Sequence, residues 1–538
     1  MDNGKLPVPD IPDHVREDIR TVFSNYQECP EPKEAVVTGT VPEWLSGTLL
    51  RNGPGIFTIG PDKYNHLFDG LALIQKFRFD QGKVWCSTKY LRSDAYTRNM
   101  SAQRIVVSEF GTGSCPDPCK SFFARYFSYF FSFDMTDNDV VNFVHMGDEI
   151  YASTETGKLH RIDIDNLDSV DMVNWHKYVA LNTATAHPHY DREGNMYNVG
   201  TAKTRYVVVK VPKLAEDQKG LAMTNPSIVS SIPLCRPPNP SYYHSFAITE
   251  NHIIFPEMPL VMNIFALMTA RFRGIAYSDT MSWDPTAKTI LHIIPLSSRK
   301  PSPIRLLTDP FFTFHHINAF EYNGCCVVDL LLHQSGETVG KLSLDKPEEW
   351  IYTDLTAKPT RFILPLNVRQ GSSSGDNLVS ETAKQLNSTA EAVLQDDGSV
   401  YCKPEVMVQL RMELPRINYE MSNGRKYRFV YGVGGDAGEY LGQKVYKVDL
   451  EERTHLVYEI APRSMAGEAV FIPRPGATEE DDGVVMFPCM DMSRQTNDSL
   501  LIVDAKSFTE LARAEITPRI PVSFHAQYYQ SKNNKLWS

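Results

Sequence analysis

The sequence predicts an all-β fold, because strand patterns separated by Asp and Gly turns recur along most of its 538 residues. In residues 149–163, for example, two predicted strands, 149–156 and 159–163, flank a turn at Gly157 and Lys158. A turn followed by a strand recurs at residues 191–197, 396–401 and 481–486 without a strict period. Many short strands of this kind fit a β-propeller. On pattern alone, a large sandwich or two barrels fits equally well.

Composition places the chain among ordinary globular proteins and argues against one class of partner. Hydrophobic residues make up 42% of the chain and charged residues 22%, which allows a large core. The formal net charge of −11 argues against nucleic acid as a partner, since phosphate binding requires a basic face. The nine cysteines are scattered and form no CxxC pair, so we expect reduced thiols and no disulfide framework.

The beginning of the chain lacks a recognisable targeting pattern. It is polar and acidic, without the apolar run of a signal peptide or the Arg-rich pattern of a mitochondrial import sequence. No run of about 18 apolar residues occurs anywhere in the sequence. We therefore expect a cytoplasmic protein, with an N-terminal arm over residues 1–34 and a short helix near residues 14–23.

Two apolar stretches interrupt the strand patterns. The first, from Cys119 to Phe133, contains eight aromatic residues, and the second, from Met258 to Gly274, combines aliphatic residues with two arginines. We expect both to be helical. Both have the profile of a segment that rests on a membrane surface. An internal packing helix has the same composition, and the sequence does not separate these two interpretations.

Four histidines are candidate metal ligands. His187 precedes a proline, which disfavours helix at His187, and the other three each have an aromatic residue beside them or two positions away. Imidazole is the commonest neutral metal ligand, and Fe(II) accepts it well. The candidates are His187, His244, His315 and His525. Because the chain has 15 histidines, a hydrogen-bonded core histidine explains any one of them as well.

Seven short motifs follow one another in a fixed order along nearly the whole chain. They are LLRNGPG at residues 49–55, YNHLFDG at 64–70, PDPCK at 116–120, ATAHPH at 184–189, YYHSF at 242–246, FHHIN at 314–318 and FH at 524–525. With this set, the sequence resembles the animal carotenoid cleavage oxygenases, which include β-carotene dioxygenases and the retinal pigment epithelium isomerase. The resemblance implies one seven-bladed β-propeller over residues 35–528, with a helical cap over its iron-bearing face and a tail over residues 529–538.

The resemblance also implies an iron centre. Its motifs assign the four histidines above to one Fe(II), and they place His189 and His316 at positions that do not bind the metal. They further imply three glutamates that hold the ligands without touching the iron, namely Glu155 for His244, Glu413 for His315 and Glu468 for His525. A ligating imidazole needs an acceptor for its other N–H, because that hydrogen bond fixes its tautomer and its direction.

Three further positions can be compared with the family pattern. Around Glu468 the family commonly has Pro-x-Glu-Pro, whereas this chain has Ala-Gly-Glu-Ala, so we expect a looser backbone there. Val141 matches an aliphatic residue that crowds one open position of the iron. Cys119 matches a position that suggests lipidation, although a buried thiol explains it more simply.

The implied activity is oxidative cleavage of a carotenoid. Four neutral histidines leave an octahedral ion up to two open positions, which suit O₂ and, transiently, substrate or water. Several short segments of the sequence most resemble the corresponding segments of the enzymes that cleave β-carotene at the 15,15′ bond to retinal. A polyene substrate comes from a membrane, so we expect a peripheral membrane protein that docks through the two apolar stretches.

Three alternatives remain open from the sequence. One is eccentric 9′,10′ cleavage to apocarotenals, and another is a retinoid isomerohydrolase that uses the same iron without O₂. The third is a carotenoid-binding propeller without active iron, against which the presence of all four histidines argues.

Overall fold

Seven sheets of four or more strands, mostly antiparallel, form the seven blades of a β-propeller. The computed structural model describes residues 12–121, 135–213, 225–351, 357–436, 439, 441–530 and 536–537. The predicted fold class is therefore confirmed, and neither the sandwich nor the two barrels is correct.

We number the blades from the one that joins the two ends of the chain. The first comprises Cys29–Glu34, Gly47–Arg51, Pro54–Ile56, Leu71–Asp80, Lys83–Tyr90, Ala526–Gln530 and Leu536–Trp537. The second comprises Asn142–Met146, Glu149–Ser153, Lys158–Ile162 and Ser169–Asn174. The third comprises Thr183–Ala184, His189–Tyr190, Met196–Ala202, Arg205–Val211 and Ser227–Pro233.

The remaining four blades follow in chain order. The fourth comprises Ala247–Ile248, His252–Glu257, Thr289–Pro295, Leu306–Thr308, Glu391–Leu394 and Val400–Lys403. The fifth comprises His316–Tyr322, Cys325–Leu332, Lys358–Pro365 and Glu405–Val406, and the sixth Met412–Arg416, Phe429–Gly434, Lys444–Asp449 and Thr454–Glu459. The seventh comprises Val36–Gly39, Ser464–Ala466, Val470–Pro473, Gly483–Asp491, Asp498–Asp504 and Glu510–Ile516.

The middle strands of the blades carry the core. Leu71–Asp80, Cys325–Leu332 and Gly483–Asp491 are buried on both faces along nearly their whole length. Each blade lies between two neighbours, so both faces of these strands are covered, and most of their side chains are apolar.

The two ends of the chain close the ring. Val36–Gly39 pairs with Glu510–Ile516, and Gly47–Arg51 pairs with Ala526–Gln530, so strands from both ends share the first and seventh blades. The limits 35 and 528 for the propeller domain stay a prediction. Cys29–Glu34 and Ala526–Gln530, however, continue the first blade beyond both limits.

The helices are short. In the part of the chain that the structure describes, the α-helices are Asp13–Val22, Asp94–Ala102, His176–Val179, Ile264–Arg273, Ser380–Gln385 and Tyr419–Ser422. The 3-10 helices are Ser278–Thr280, Gly336–Thr338, Gly340–Leu342 and Pro347–Ile351. Two short ladders complete the elements, Leu260–Met262 with Met281–Trp283 and Thr58–Ile59 with Asp62–Lys63.

The structure describes the second of the two apolar stretches fully and the first only in part. The stretch from Met258 to Gly274 forms the helix Ile264–Arg273, preceded by the strand Leu260–Met262. This helix and Asp94–Ala102 contribute side chains to the large cavity of the ring and form part of the predicted cap. In the other stretch, residues 122–133 lie outside the described residues. No helix among those described is long and apolar enough to cross a membrane.

Candidate metal centre

Each blade contributes one of the seven predicted site residues, and all seven lie at inner strands or next to them. Their places are His525 before Ala526–Gln530, Glu155 after Glu149–Ser153, His187 between Thr183–Ala184 and His189–Tyr190, His244 before Ala247–Ile248, His315 before His316–Tyr322, Glu413 within Met412–Arg416, and Glu468 between Ser464–Ala466 and Val470–Pro473. The ring of blades thereby brings together residues that are far apart in sequence.

The four histidines meet at one point. Their candidate ligand atoms all lie within 4.8 Å of one another. The Nε2 atoms of His187 and His244 are 2.9 Å apart, and those of His315 and His525 are 3.3 Å apart. Two nitrogens that bind one metal at right angles, each about 2.1 Å from it, are about 3.0 Å apart. The spacing therefore fits ligands of a common ion.

The three glutamates hold three of the four imidazole rings. Nδ1 of His244 is hydrogen-bonded to Glu155, Nδ1 of His315 lies 2.7 Å from Glu413 Oε2, and Nδ1 of His525 lies 2.7 Å from Glu468 Oε1. A carboxylate accepts, so each Nδ1 carries the proton and each Nε2 is left with a lone pair. Three such lone pairs converge with His187, and this donor set fits a bound divalent iron.

Burial and charge keep these groups in the states that metal binding requires. Burial lowers the pKa of His187 well below its ordinary value, and it lowers that of His315 to about 4 despite the opposing charge of Glu413. Burial raises the pKa of Glu468, but the charge of Arg416 and the hydrogen bond from His525 outweigh this effect and bring it down to about 2. His187 and His315 are therefore neutral and the Glu468 carboxylate is ionised near pH 7.

Glu413 has a second histidine partner that the sequence did not indicate. Nε2 of His333 lies 2.7 Å from Glu413 Oε1, and the backbone N–H of Leu414 donates to Oε2 at 3.1 Å. With His315, the carboxylate accepts from three donors, so it is held in place and ionised. Burial alone would raise the pKa of Glu413, but its interactions with His315 and His333 lower the pKa well below its ordinary value.

The loop at Glu468 is held without the flanking prolines. Arg51 donates from Nη1 to the Glu468 carbonyl at 3.1 Å, and the backbone N–H of Ala526 donates to the carboxylate at 2.7 Å. A Cβ at Gly467 would lie 2.8 Å from Arg51 Nη2, so this close approach requires glycine. The backbone at Glu468 is therefore held in place, whereas the sequence led us to expect a looser one. Nothing in the Ala-Gly-Glu-Ala sequence around Glu468 indicates that Arg51 holds it.

The two neighbouring histidines have other partners. His189 bonds through Nδ1 to the Tyr419 hydroxyl and through Nε2 to the Phe246 carbonyl, both at 3.0 Å. Nδ1 of His316 lies 2.8 Å from Ser245 Oγ. Neither ring belongs to the four-histidine cluster, as the resemblance implied.

A large cavity opens onto the cluster. Its volume is about 1260 Å³, and His244, His315 and His525 form part of its wall. Most of the remaining wall near the cluster is aromatic or aliphatic, with Leu67, Phe68, Phe110, Val141, Tyr242, Phe314 and Phe524. Phe68 lies at the centre of this wall, with ring centroids 5.7 Å from Phe110, 6.0 Å from Phe314 and 5.5 Å from Phe524. Val141 is buried in the wall, where the family match expects an aliphatic residue.

Comparison with known families agrees with this arrangement. A family model described as retinal pigment epithelial membrane protein matches residues 22–530. The chain belongs to the retinal pigment epithelial membrane protein family. The family predicted from the sequence motifs is confirmed.

Members of the retinal pigment epithelial membrane protein family include proteins with carotenoid-related names. The chain is 41% identical over 521 residues to β,β-carotene 15,15′-dioxygenase of Mus musculus, covering 94% of this chain and 90% of that protein. It is 39% identical over 527 residues to the mitochondrial carotenoid-cleaving dioxygenase of Mustela putorius furo, with coverage of 95% and 96%. A cobalt-substituted Synechocystis apocarotenoid oxygenase shares the fold with a TM-score of 0.74 and 22% identity, covering 96% and 99% of the two chains.

Proposed function

We propose that this protein is a non-haem iron(II) dioxygenase that cleaves the 15,15′ double bond of β-carotene to yield retinal. The observation that carries the proposal is the convergence of His187, His244, His315 and His525 beside a large, mostly apolar cavity. Bound Fe(II) would supply the ability to activate O₂, the co-substrate, which none of the side chains around the cavity provides.

The side chains of the site have distinct roles in this proposal. The four histidines hold the iron, and Glu155, Glu413 and Glu468 orient three of them and balance the positive charge. Direct coordination by a carboxylate would use a position that O₂ needs. The aromatic wall around Phe68 holds the polyene against the metal and excludes water from the reacting bond.

The size of the cavity supports a long apolar substrate. Ligand pockets commonly measure about 300–1,000 Å³, and this cavity, at about 1260 Å³, is larger. Close to the cluster, the polar groups of the cavity wall belong mainly to the four-histidine site and its glutamates. Few groups in this region would therefore favour a charged substrate. A carotenoid fits this wall better than a compact polar molecule does.

The position of the cleaved bond is supported by the relatives. Four relatives at 40–41% identity are named β,β-carotene 15,15′-dioxygenase, and four at 38–39% are named carotenoid-cleaving dioxygenase. The small difference favours central cleavage. Eccentric 9′,10′ cleavage is the second candidate.

We also propose that the protein works at a membrane surface. On the helix Ile264–Arg273, Phe265, Met268 and Phe272 are 71%, 62% and 49% exposed. Ile264 and Leu267 of the same helix lie in the cavity wall, so this exposed apolar face is next to the cavity. A helix of this kind can insert its apolar side chains among lipids and pass a polyene directly from the membrane to the cavity. The exposed Cys119 lies on the other predicted docking stretch, which continues outside the described residues.

The cytoplasm is the proposed compartment. All nine cysteines are free thiols, which is typical of a reducing environment. Fractionation of expressing cells should place the protein with cytoplasmic membranes, in a fraction that carbonate washing releases. Recovery within organelles would contradict this location.

Product analysis tests the activity. Purified iron-loaded protein is incubated with β-carotene in detergent micelles, and the products are separated by chromatography. Retinal as the sole aldehyde supports central cleavage. Apocarotenals indicate the eccentric reaction, and the absence of aldehydes contradicts the proposed activity.

A further inference from the structure

A second cluster of metal-ligating side chains lies between the third and fourth blades, outside the four-histidine site. The ligand atoms of Cys235, Glu257 and His292 all lie within 4.8 Å of one another. Cys235 follows Ser227–Pro233, the last strand of the third blade, whereas the other two lie on adjacent strands of the fourth. The sequence gives no local spacing that would reveal this group, since 22 and 35 residues separate consecutive members.

Glu257 is the central member, and its carboxylate is held at both oxygens. Oε1 accepts from the backbone N–H of Cys235 at 2.9 Å and from the hydroxyl of Tyr206 at 3.2 Å, while Oε2 lies 3.0 Å from Nε2 of His292. The residue is fully buried, and no lysine or arginine among the described residues forms a salt bridge with it. A buried carboxylate without a lysine or arginine is costly, and a cation at Oε2 would compensate its charge.

We propose that Cys235, Glu257 and His292 bind one Zn²⁺ or a similar divalent metal. One sulfur, one oxygen and one nitrogen form a donor set that zinc accepts in proteins, with water as a fourth ligand. Cys235 is exposed, so solvent can reach the open position. The hydrogen bonds that would orient Glu257 toward a metal are already present. Tyr206 and the Cys235 N–H donate to Oε1, while Oε2 faces His292.

Protons and charges both balance when a divalent metal binds at this site. The Cys235 thiol releases its proton and becomes a thiolate, and the Nε2 lone pair of His292 becomes available when its proton leaves for Nδ1 or for solvent. The thiolate and the Glu257 carboxylate together neutralise the two positive charges of the metal. Partial burial, followed by the nearby Glu257, raises the pKa of the metal-free Cys235 thiol to about 12, against the opposing charges of Arg236 and Arg305. The thiol is therefore protonated until a metal displaces the proton.

The position of the site suggests a structural role. Cys235 begins the segment that leads through Pro238 and Pro240, both in the cavity wall, to His244. Glu257 directly precedes the stretch that carries the helix Ile264–Arg273. A metal bound here would link the third blade to the fourth at the point where these two segments begin. It would stabilise the folded protein by an amount that increases with the concentration of free metal.

Cobalt(II) is the probe that distinguishes this site from the iron centre. A thiolate ligand gives a sulfur-to-cobalt charge-transfer band in the near ultraviolet, whereas the four-histidine cluster contains no sulfur. Metal-free full-length protein is titrated with CoCl₂. We expect the band in the wild type, its loss in Cys235→Ser, its weakening in His292→Gln, and its retention in Cys119→Ser, which changes another exposed cysteine. Bound zinc per chain should fall by about half in Cys235→Ser, from roughly two ions to one.

The outcomes that overturn the site are equally definite. Cobalt binding without the band in the wild type excludes the Cys235 ligand, and a band that persists in Cys235→Ser assigns the sulfur to another cysteine. The metal-free melting temperatures of Cys235→Ser and His292→Gln, compared with that of the metal-free wild type, show whether each variant folds. If Cys235→Ser fails to fold, an undiminished band in His292→Gln contradicts the proposal.

Discussion

Nδ1 of His315 lies 2.7 Å from Oε2 of Glu413, and this contact is one part of a three-donor arrangement around a single buried carboxylate. His333 donates to the other oxygen at 2.7 Å, and the backbone N–H of Leu414 donates to Oε2 at 3.1 Å. The carboxylate is therefore fixed before any metal binds. Its position sets the direction of the His315 lone pair toward the other three imidazoles.

Replacement of Glu413 tests this positioning role. Glu413→Gln should lower iron affinity by about 10-fold and Glu413→Ala by about 100-fold. The amide oxygen of glutamine can still accept from His315. Its NH₂ group can donate to His333. Nδ1 of His333 has no hydrogen-bond partner among the described residues, so it can take the proton from Nε2.

Iron content after equilibrium dialysis measures this order. Glu321→Gln is the matched control, since Glu321 accepts from Nδ1 of His252 at 2.9 Å in a glutamate–histidine pair outside the cluster. It should keep full iron content. Equal losses in Glu413→Gln and Glu413→Ala would show that the hydrogen bond to His315 does not contribute to metal binding.

The adjacent residues His315 and His316 give a direct test of the ligand assignment. His315→Ala should remove iron binding and activity, because it deletes one of four converging nitrogens. His316→Ala should leave the iron content unchanged, since that ring bonds to Ser245 instead. Metal analysis of both purified variants, with circular dichroism to confirm folding, measures the contrast. Full iron content in His315→Ala would remove His315 from the site.

The buried Asp69 predicts a pH dependence of stability. Burial raises the pKa of Asp69 to about 7, against hydrogen bonds from Gly111, Thr112 and His66 that lower it. The folded state therefore holds a proton that the unfolded state releases at lower pH, so stability falls as pH rises from about 4 to 7. Asp69→Asn removes this loss, and its stability relative to wild type should be greater at pH 8 than at pH 5 by on the order of 1–3 kcal/mol.

Urea unfolding at both pH values measures this difference. Asp80→Asn, at a half-exposed aspartate, is the control and should leave the pH profile of the wild type as it is. A parallel profile for Asp69→Asn and the wild type would show that Asp69 is ionised in the folded protein at both pH values.

The exposed face of the helix Ile264–Arg273 predicts lipid binding. Serine at Phe265, Met268 and Phe272 removes most of its exposed apolar area, and each Å² withheld from lipid costs about 25 cal/mol. We expect at least a 10-fold loss of sedimentation with phosphatidylcholine liposomes and unchanged iron content. The matched control is serine at Val170 and Met172, which are 53% and 39% exposed on the outer strand of the second blade. Equal binding by both variants would place the membrane contact elsewhere.

Much of the fold could be predicted because its signals are local. Alternating strand patterns and Asp/Gly turns mark many of the blade strands, and the hairpin expected over residues 149–163 is present as Glu149–Ser153 and Lys158–Ile162. Blade number and ring closure could not be derived from pattern, because they depend on pairings between distant segments. The pairing of Val36–Gly39 with Glu510–Ile516 leaves no periodic trace in the sequence.

The site shows the same division between local and distant signals. The histidines and glutamates carry recognisable motifs, and the structure brings all seven together. His333 lies outside the motifs, and Arg51 lies in LLRNGPG without any sign of its contact with Glu468. Their roles arise only when the fifth blade meets Glu413 and the first blade meets Glu468.

The most direct test of the proposed activity is the oxygen content of the product made from β-carotene under ¹⁸O₂. Borohydride is present to trap each aldehyde as its alcohol before the oxygen exchanges with water. A dioxygenase that cleaves the 15,15′ bond predicts retinol as the sole trapped product, with ¹⁸O in nearly every molecule. Unlabelled product, product formed without oxygen, or a trapped apocarotenol would contradict this account.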